Sequence, residues 1–278
     1  MSDTAKPAPA KVLVRRHSAV TRLTHWINVL ALSVLLMSGL QIFNAHPALY
    51  WGQKSTFAQP WVWIDGREKP SGEFEGFTRI GKAEFATTGV LGFSGDPGEN
   101  RAFPAWATIP SYRDLASGRR WHFFFAWLFV INGLVYLLWS LIGGHLRRDL
   151  WPTRAQLRLR HILHEIGTHA RLRFAKGKEA RTYNILQKLT YLAVILVLLP
   201  LMVLTGLSMS PGFNAAAPWL LDLFGGRQSA RTIHFLSAAG IVLFVLVHVV
   251  MVLVSGFWNN LRSMITGRYA IQVEGDRP

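Results

Sequence analysis

Four long apolar stretches constrain this chain more than any other feature. They cover roughly residues 25–43, 121–144, 185–209 and 231–257. A hydrocarbon core of about 30 Å takes about 20 residues of helix to cross, and each stretch is about that long. None alternates apolar and polar residues as a barrel strand does, and in lipid only helices and closed barrels satisfy their own backbone. The sequence therefore predicts an all-α membrane protein, a four-transmembrane-helix bundle. Composition agrees: half of the 278 residues are hydrophobic and 16% are charged, against about a quarter charged in soluble domains. The first stretch has no small-residue cleavage site, so it reads as a retained span rather than a signal peptide.

The net charge is +15. In a soluble protein this would point to nucleic acid. Here the charge lies beside and between apolar spans, where it sets topology, and no nucleic-acid-reading motif accompanies it. Lys and Arg number five before the first span, ten in 145–184 and three after Asn259, against nine in 44–120 and one in 210–230. The positive-inside rule puts the first three segments on the cytoplasmic side of a bacterial inner membrane, with both termini cytoplasmic.

The expected organisation is a flexible arm over 1–14, a membrane domain over 15–270 and a tail over 271–278. The 44–120 loop is external and carries nearly as many acids as bases. It is rich in Trp, Gly and Pro and reads as a folded cap, either a docking surface or a covering over the bundle. The 153–184 segment mixes Leu and Ile with Arg at helical spacing and predicts an interfacial amphipathic segment on the cytoplasmic side. Its His161, His164 and His169 fit no standard zinc spacing. The chain has no cysteine, which removes disulfides, thiolate-held clusters and thiolate zinc sites.

The informative polar residues are histidines inside the spans. His234 and His248 are fourteen residues apart, nearly four helical turns and roughly 21 Å of rise, so they share one face at different depths. His25 opens the first span on the inner side, and His122 opens the second on the outer side. Four histidines on three spans thus fall at two matched depths, His25 with His248 and His122 with His234. Ionisable groups in lipid are costly and tend to be functional. Two imidazole pairs suit two haems b, each with both axial positions filled, whose work is electron transfer. Small residues in the spans (Ser38, Gly39, Gly133, Gly206 and 237–240) allow close approach of helices or of a flat macrocycle. Arg22, Arg120 and Arg231 lie near the histidines as candidate haem-propionate contacts or as snorkelling anchors.

The stretches RLTHW, RRWHFFFAW, YNILQKLTY, GGRQSARTIHF and LVHVVM resemble the bacterial cytochrome b561/nickel-hydrogenase type cytochrome b family, over about residues 15–270. That family includes the membrane subunits of hydrogenase, formate dehydrogenase and thiosulfate reductase. The resemblance implies two haems b, with the same two histidine pairs, and a quinone site near the inner haem. Carried over, that site is Asn184, with Gln187 and Lys188 beside it; from the residues alone Asn184 is also a good helix N-cap. The long external loop departs from plainer family members. The likeness to the thiosulfate-reductase branch implies a periplasmic molybdopterin oxidoreductase as partner.

The expected function is electron exchange between membrane quinone and that partner, with no catalytic nucleophile and with His17, Lys188 or Glu165 as proton routes. Self-association into a homo-oligomer stays open. Two rivals stand beside this reading: a haem-free anchor for a periplasmic enzyme, and a proton or metal transporter with a histidine relay. The relay would need carboxylate partners, and the four spans contain no Asp or Glu.

Overall fold

The computed structural model describes residues 10–95, 100–171 and 182–273. Four helices are long and apolar enough to cross a membrane: Ala19–Phe43 (α1), Leu115–Ile142 (α2), Ile185–Met209 and Arg227–Val254 (α8), with mean hydropathies of 1.8, 2.0, 2.5 and 2.7. This is the predicted four-helix membrane architecture. The first two spans begin six residues before their apolar runs, because polar caps start them. Ser18 Oγ accepts the N–H of Thr21, and Asp114 Oδ1 accepts that of Ser117, both at 3.0 Å. These are N-cap contacts that use otherwise orphaned donors. The Ser117 contacts also hold the Asp114 carboxyl below its usual range. The third span comprises α4 (Ile185–Ala193), a π-helical stretch over Val194–Leu198 and α5 (Leu199–Met209). Pro200, just past that stretch, has no N–H to continue an α ladder.

The chain forms two compact units. One comprises residues 1–26, 133–197 and 241–278. In it, β1 (Ala10–Arg15) pairs antiparallel with β8 (Arg268–Val273), from Ala10 opposite Val273 to Arg15 opposite Arg268. Residues 10–14 therefore form a strand rather than the expected flexible arm, and 271–273 are its partner rather than free tail; residues 1–9 and 274–278 lie outside the described residues. The strand pair adjoins α9 (Phe257–Thr266). The amphipathic segment contains α3 (Leu159–Ala170), which contacts α4 and leaves Leu159, Leu163 and Ile166 exposed along one stripe. Residues 172–181 of that segment lie outside the description.

The other unit comprises 27–132 and 198–240. Its 44–120 loop carries a four-stranded antiparallel sheet of β2 (Ala48–Leu49), β3 (Val62–Glu68), β4 (Phe74–Ile80) and β5 (Ala83–Ala86), in chain order. A small pair follows, β6 (Gly92–Phe93) with β7 (Asn100–Arg101). On β3, Val62 and Ile64 face a core with Phe43, Leu49 and Ala102. The short helices α6 (Pro211–Ala216) and α7 (Trp219–Leu223) precede α8.

β6 approaches β3 and β4 so closely that only glycine fits. A Cβ on Gly76 would sit 2.1 Å from the Leu91 carbonyl oxygen, and one on Gly92, at φ +80°, would sit 2.1 Å from that of Asp65. Gly92→Ala is expected to destabilise this loop by about 2 kcal/mol or more, from strain and overlap together. Faster proteolysis within 44–120 would report it. Gly133→Ala, with open space around its Cβ, should leave the cleavage rate unchanged.

Candidate functional site

His25 and His248 meet within the first unit. Their ring centres are 6.4 Å apart with planes inclined at 55°. The start of α1 is held from the C-terminal side. Arg22 donates to the carbonyls of Ser18 and Ile265, and Trp26 Nε1 donates to that of Met264 at 3.1 Å. Among the described residues the buried His25 Nδ1 has no hydrogen-bond partner. Phe244 stacks on His248 with ring centres 5.8 Å apart. Beyond it, Tyr191 and then Tyr183 continue an edge-to-face chain. Tyr183 Oη ends 3.5 Å from His17 Nδ1.

His122 and His234 meet within the second unit, with ring centres 6.3 Å apart and planes at 62°. Ser38 Oγ lies 3.1 Å from His122 Nδ1, and Thr205 Oγ1 lies 3.0 Å from His234 Nδ1. The start of α8 is tied to the 46–52 strand and turn by three side chains. Thr232 Oγ1 donates to the Tyr50 carbonyl at 2.6 Å, and Ser229 Oγ accepts the Gly52 N–H at 2.7 Å. Arg231 donates to the carbonyls of Ala48 and His46.

Both pairs fit an iron held between two imidazoles. With imidazole–metal bonds of about 2 Å on opposite sides, ring centres fall roughly 6 Å apart. Among the described residues no group of three or more His, Cys, Asp or Glu gathers, so these donors suit a metal whose remaining ligands come from a macrocycle. Gly39 and Gly206 face His122 and His234, where a Cβ would lie 3.4 Å from the ring Cε1, and leave room for the same group.

The family model for prokaryotic cytochrome b561 matches residues 16–267. The chain belongs to the prokaryotic cytochrome b561 family. Membership makes it a multi-pass membrane electron-transfer subunit and implies b-type haem. It is 28% identical over 247 residues to a putative protein-methionine-sulfoxide reductase subunit, YedZ1, of Azospira oryzae, covering 87% of this chain and 92% of the relative. No solved structure matches the chain.

The remaining predicted residues of this cytochrome b are placed as follows. Asn184 caps α4 in a reciprocal capping box: its side chain accepts the Gln187 N–H at 2.9 Å, and Gln187 Oε1 accepts the Asn184 N–H at 3.3 Å. Lys188 is buried, with Nζ 3.4 Å from both the Trp151 carbonyl and Gln156 Oε1. Arg22 and Arg231 use their guanidinium groups on backbone carbonyls, as above. Arg120 is exposed and donates to Ser117 Oγ at 3.1 Å. His145 pairs with Asp149 at 2.6 Å and packs by Trp139. Ser38, Thr205, Ser229 and Thr232 were not singled out in sequence as contacts of the site. A hydroxyl in an apolar run was the available signal, but its target lies on another segment.

Burial and the adjacent Arg16 guanidinium lower His17 to about 4 from its ordinary 6.5. The unfolded chain then takes up a proton near pH 6.5 that the folded chain refuses until about pH 4, so stability is kept above pH 6.5 and lost as pH falls between these values. His17→Gln should flatten that acid limb. Thermal unfolding followed from pH 7.5 to 4 checks this; parallel profiles for variant and wild type would refute it.

Proposed function

We propose that this protein carries two bis-histidine haems b and moves electrons between membrane quinone and a periplasmic oxidoreductase. The observation that carries this reading is the meeting of the four span histidines in two pairs, each about as far apart as two axial imidazoles on one iron. His25 with His248, and His122 with His234, hold the irons. Bound haem supplies one-electron chemistry at each pair. The chain supplies orientation and a dry, low-dielectric surround.

The quinone site is proposed in the first unit, near His248. The ring chain Phe244–Tyr191–Tyr183 offers flat apolar contact, and Asn184 offers a polar group at its end. Burial raises the Tyr183 phenol and lowers His17, so both are neutral near pH 7 and can pass a proton without holding charge. The relative's name, a subunit of a protein-methionine-sulfoxide reductase, favours a reductase as partner, periplasmic and of molybdopterin type by the family resemblance. Electrons would then leave a quinol, which gives up two electrons and two protons, and the reductase would consume them. The termini and α3 are assigned to the cytoplasmic side of an inner membrane, and the 44–120 sheet to the periplasmic side where the partner docks.

A reduced-minus-oxidised spectrum with haem quantified per chain tests the reading. Two b haems in wild type and one in His248→Ala are expected; a properly assembled wild type with no haem would leave the membrane-anchor reading instead. The quinone assignment has its own test. Asn184→Ser keeps a capping oxygen, so thermal stability should hold while the KM for quinol rises several-fold. An unchanged KM would reduce Asn184 to a helix cap.

A further inference from the structure

The His122–His234 pair is held by a device that occurs twice. Ser38-Gly39-Leu40 on the first span and Thr205-Gly206-Leu207 on the third each cradle one imidazole. The hydroxyl of the dipeptide faces Nδ1, at 3.1 Å for His122 and 3.0 Å for His234. In both cases the glycine faces the ring: a Cβ on either would lie 3.4 Å from the ring Cε1. That is the closest ordinary approach, so any side chain beyond a methyl would push the imidazole away. The hydroxyls make the same backbone contacts too. Ser38 Oγ reaches the carbonyls of Val34 at 2.7 Å and Leu35 at 3.3 Å. Thr205 Oγ1 reaches those of Leu201 at 2.5 Å and Met202 at 3.4 Å.

This geometry decides where the protons are. A hydroxyl has one hydrogen and two lone pairs. Carbonyls only accept, so the single O–H of Ser38 and of Thr205 is spent on the preceding turn of its own helix, as is common for Ser and Thr in helices. With the hydrogen placed there, the oxygen is left to accept from the ring, and the arrangement that serves every group puts the proton on Nδ1. Each imidazole is left with its lone pair on Nε2.

We propose that Ser38-Gly39 and Thr205-Gly206 are paired positioning elements that lock both rings of this pair in the Nδ1–H tautomer and set the donor strength of Nε2. The proposal rests on the haem reading for its redox consequence, but not for the tautomer. A hydrogen bond given by Nδ1–H makes a ligating imidazole more basic, and such bonds are among the settings of haem potential. Among the described residues the buried His25 Nδ1 has no hydrogen-bond partner, so that ring lacks the device. The cradle is therefore expected to act on the His122–His234 haem rather than on the one held through His25.

The test uses the full chain in nanodiscs, comparing wild type with Ser38→Ala, Thr205→Val and the double variant. Ser38→Thr and Thr205→Ser serve as conservative rescues. In a potentiometric titration of the haem absorbance, one of the two midpoints should rise, most in the double variant. The other should stay, and the rescues should return the wild-type value. Loss of one haem from the double variant alone, restored by the rescues, would also support the cradle. Two unmoved midpoints, or both moved equally, would overturn it. Independently, 15N NMR of histidine-labelled, haem-free protein, with His122→Gln as the difference control, should show His122 protonated at Nδ1. Protonation at Nε2 would overturn the tautomer lock even if both haems are present. Absence of haem from wild type would sink the cytochrome reading and leave the NMR result to judge the cradle.

Discussion

An imidazole inside an apolar helix must satisfy both nitrogens or cost about 1–3 kcal/mol for the one left unpaired. This requirement organises the structure around its four span histidines. At His122 and His234 a neighbouring helix supplies a hydroxyl oxygen for Nδ1. That leaves Nε2, for which a metal is a suitable partner. At His25 even Nδ1 is unmatched within the described residues. Packing follows from the same demand. The helices that face these rings carry glycine next to the hydroxyl, because the oxygen reaches Nδ1 only if the backbone comes within van der Waals range of the ring.

The architecture was legible because hydropathy over twenty residues is a strong signal. The spans were placed within six residues at every end, and the displaced starts have a plain cause. Ser18 and Asp114 cap polar first turns that hydropathy does not count. The histidine pairs were legible for a related reason. Depth in a bilayer is a one-dimensional coordinate that sequence position encodes, so four residues could be sorted by depth without knowing any contact. What sequence could not supply was lateral neighbourhood. Ser38 precedes its histidine by a whole external loop, and Thr205 precedes His234 by a helix turn and two short helices. Neither distance follows from spacing.

The strand pair of β1 and β8 was missed for another reason. Ala10–Arg15 is a short run with two valines, but its partner lies at the far end of the chain, and the run of Ala and Pro before it reads as a disordered arm. The sheet in the 44–120 loop was half legible: its aromatic content argued for a fold, but nothing in its spacing gave the strands. In the structure Gly76 and Gly92 are packing residues, present because backbone meets backbone.

The three side chains that tie the start of α8 to residues 46–52 also bear on how the site works. Ser229, Arg231 and Thr232 bond to backbone atoms of that segment, ahead of His234 on the same helix. The segment contains β2, which pairs with β3, whose core residues pack with Phe43 at the end of α1. Phe43 lies five residues past Ser38. The folded loop thus grips α1 beyond the cradle's hydroxyl and α8 just before the ring of His234. A loop built only to cover the bundle would not need to be bonded at these points. One that fixes the angular setting of both helices would, because a ring held by one hydroxyl and one glycine tolerates little rotation. The long insertion is therefore part of the scaffold of the His122–His234 site, whatever else it also binds.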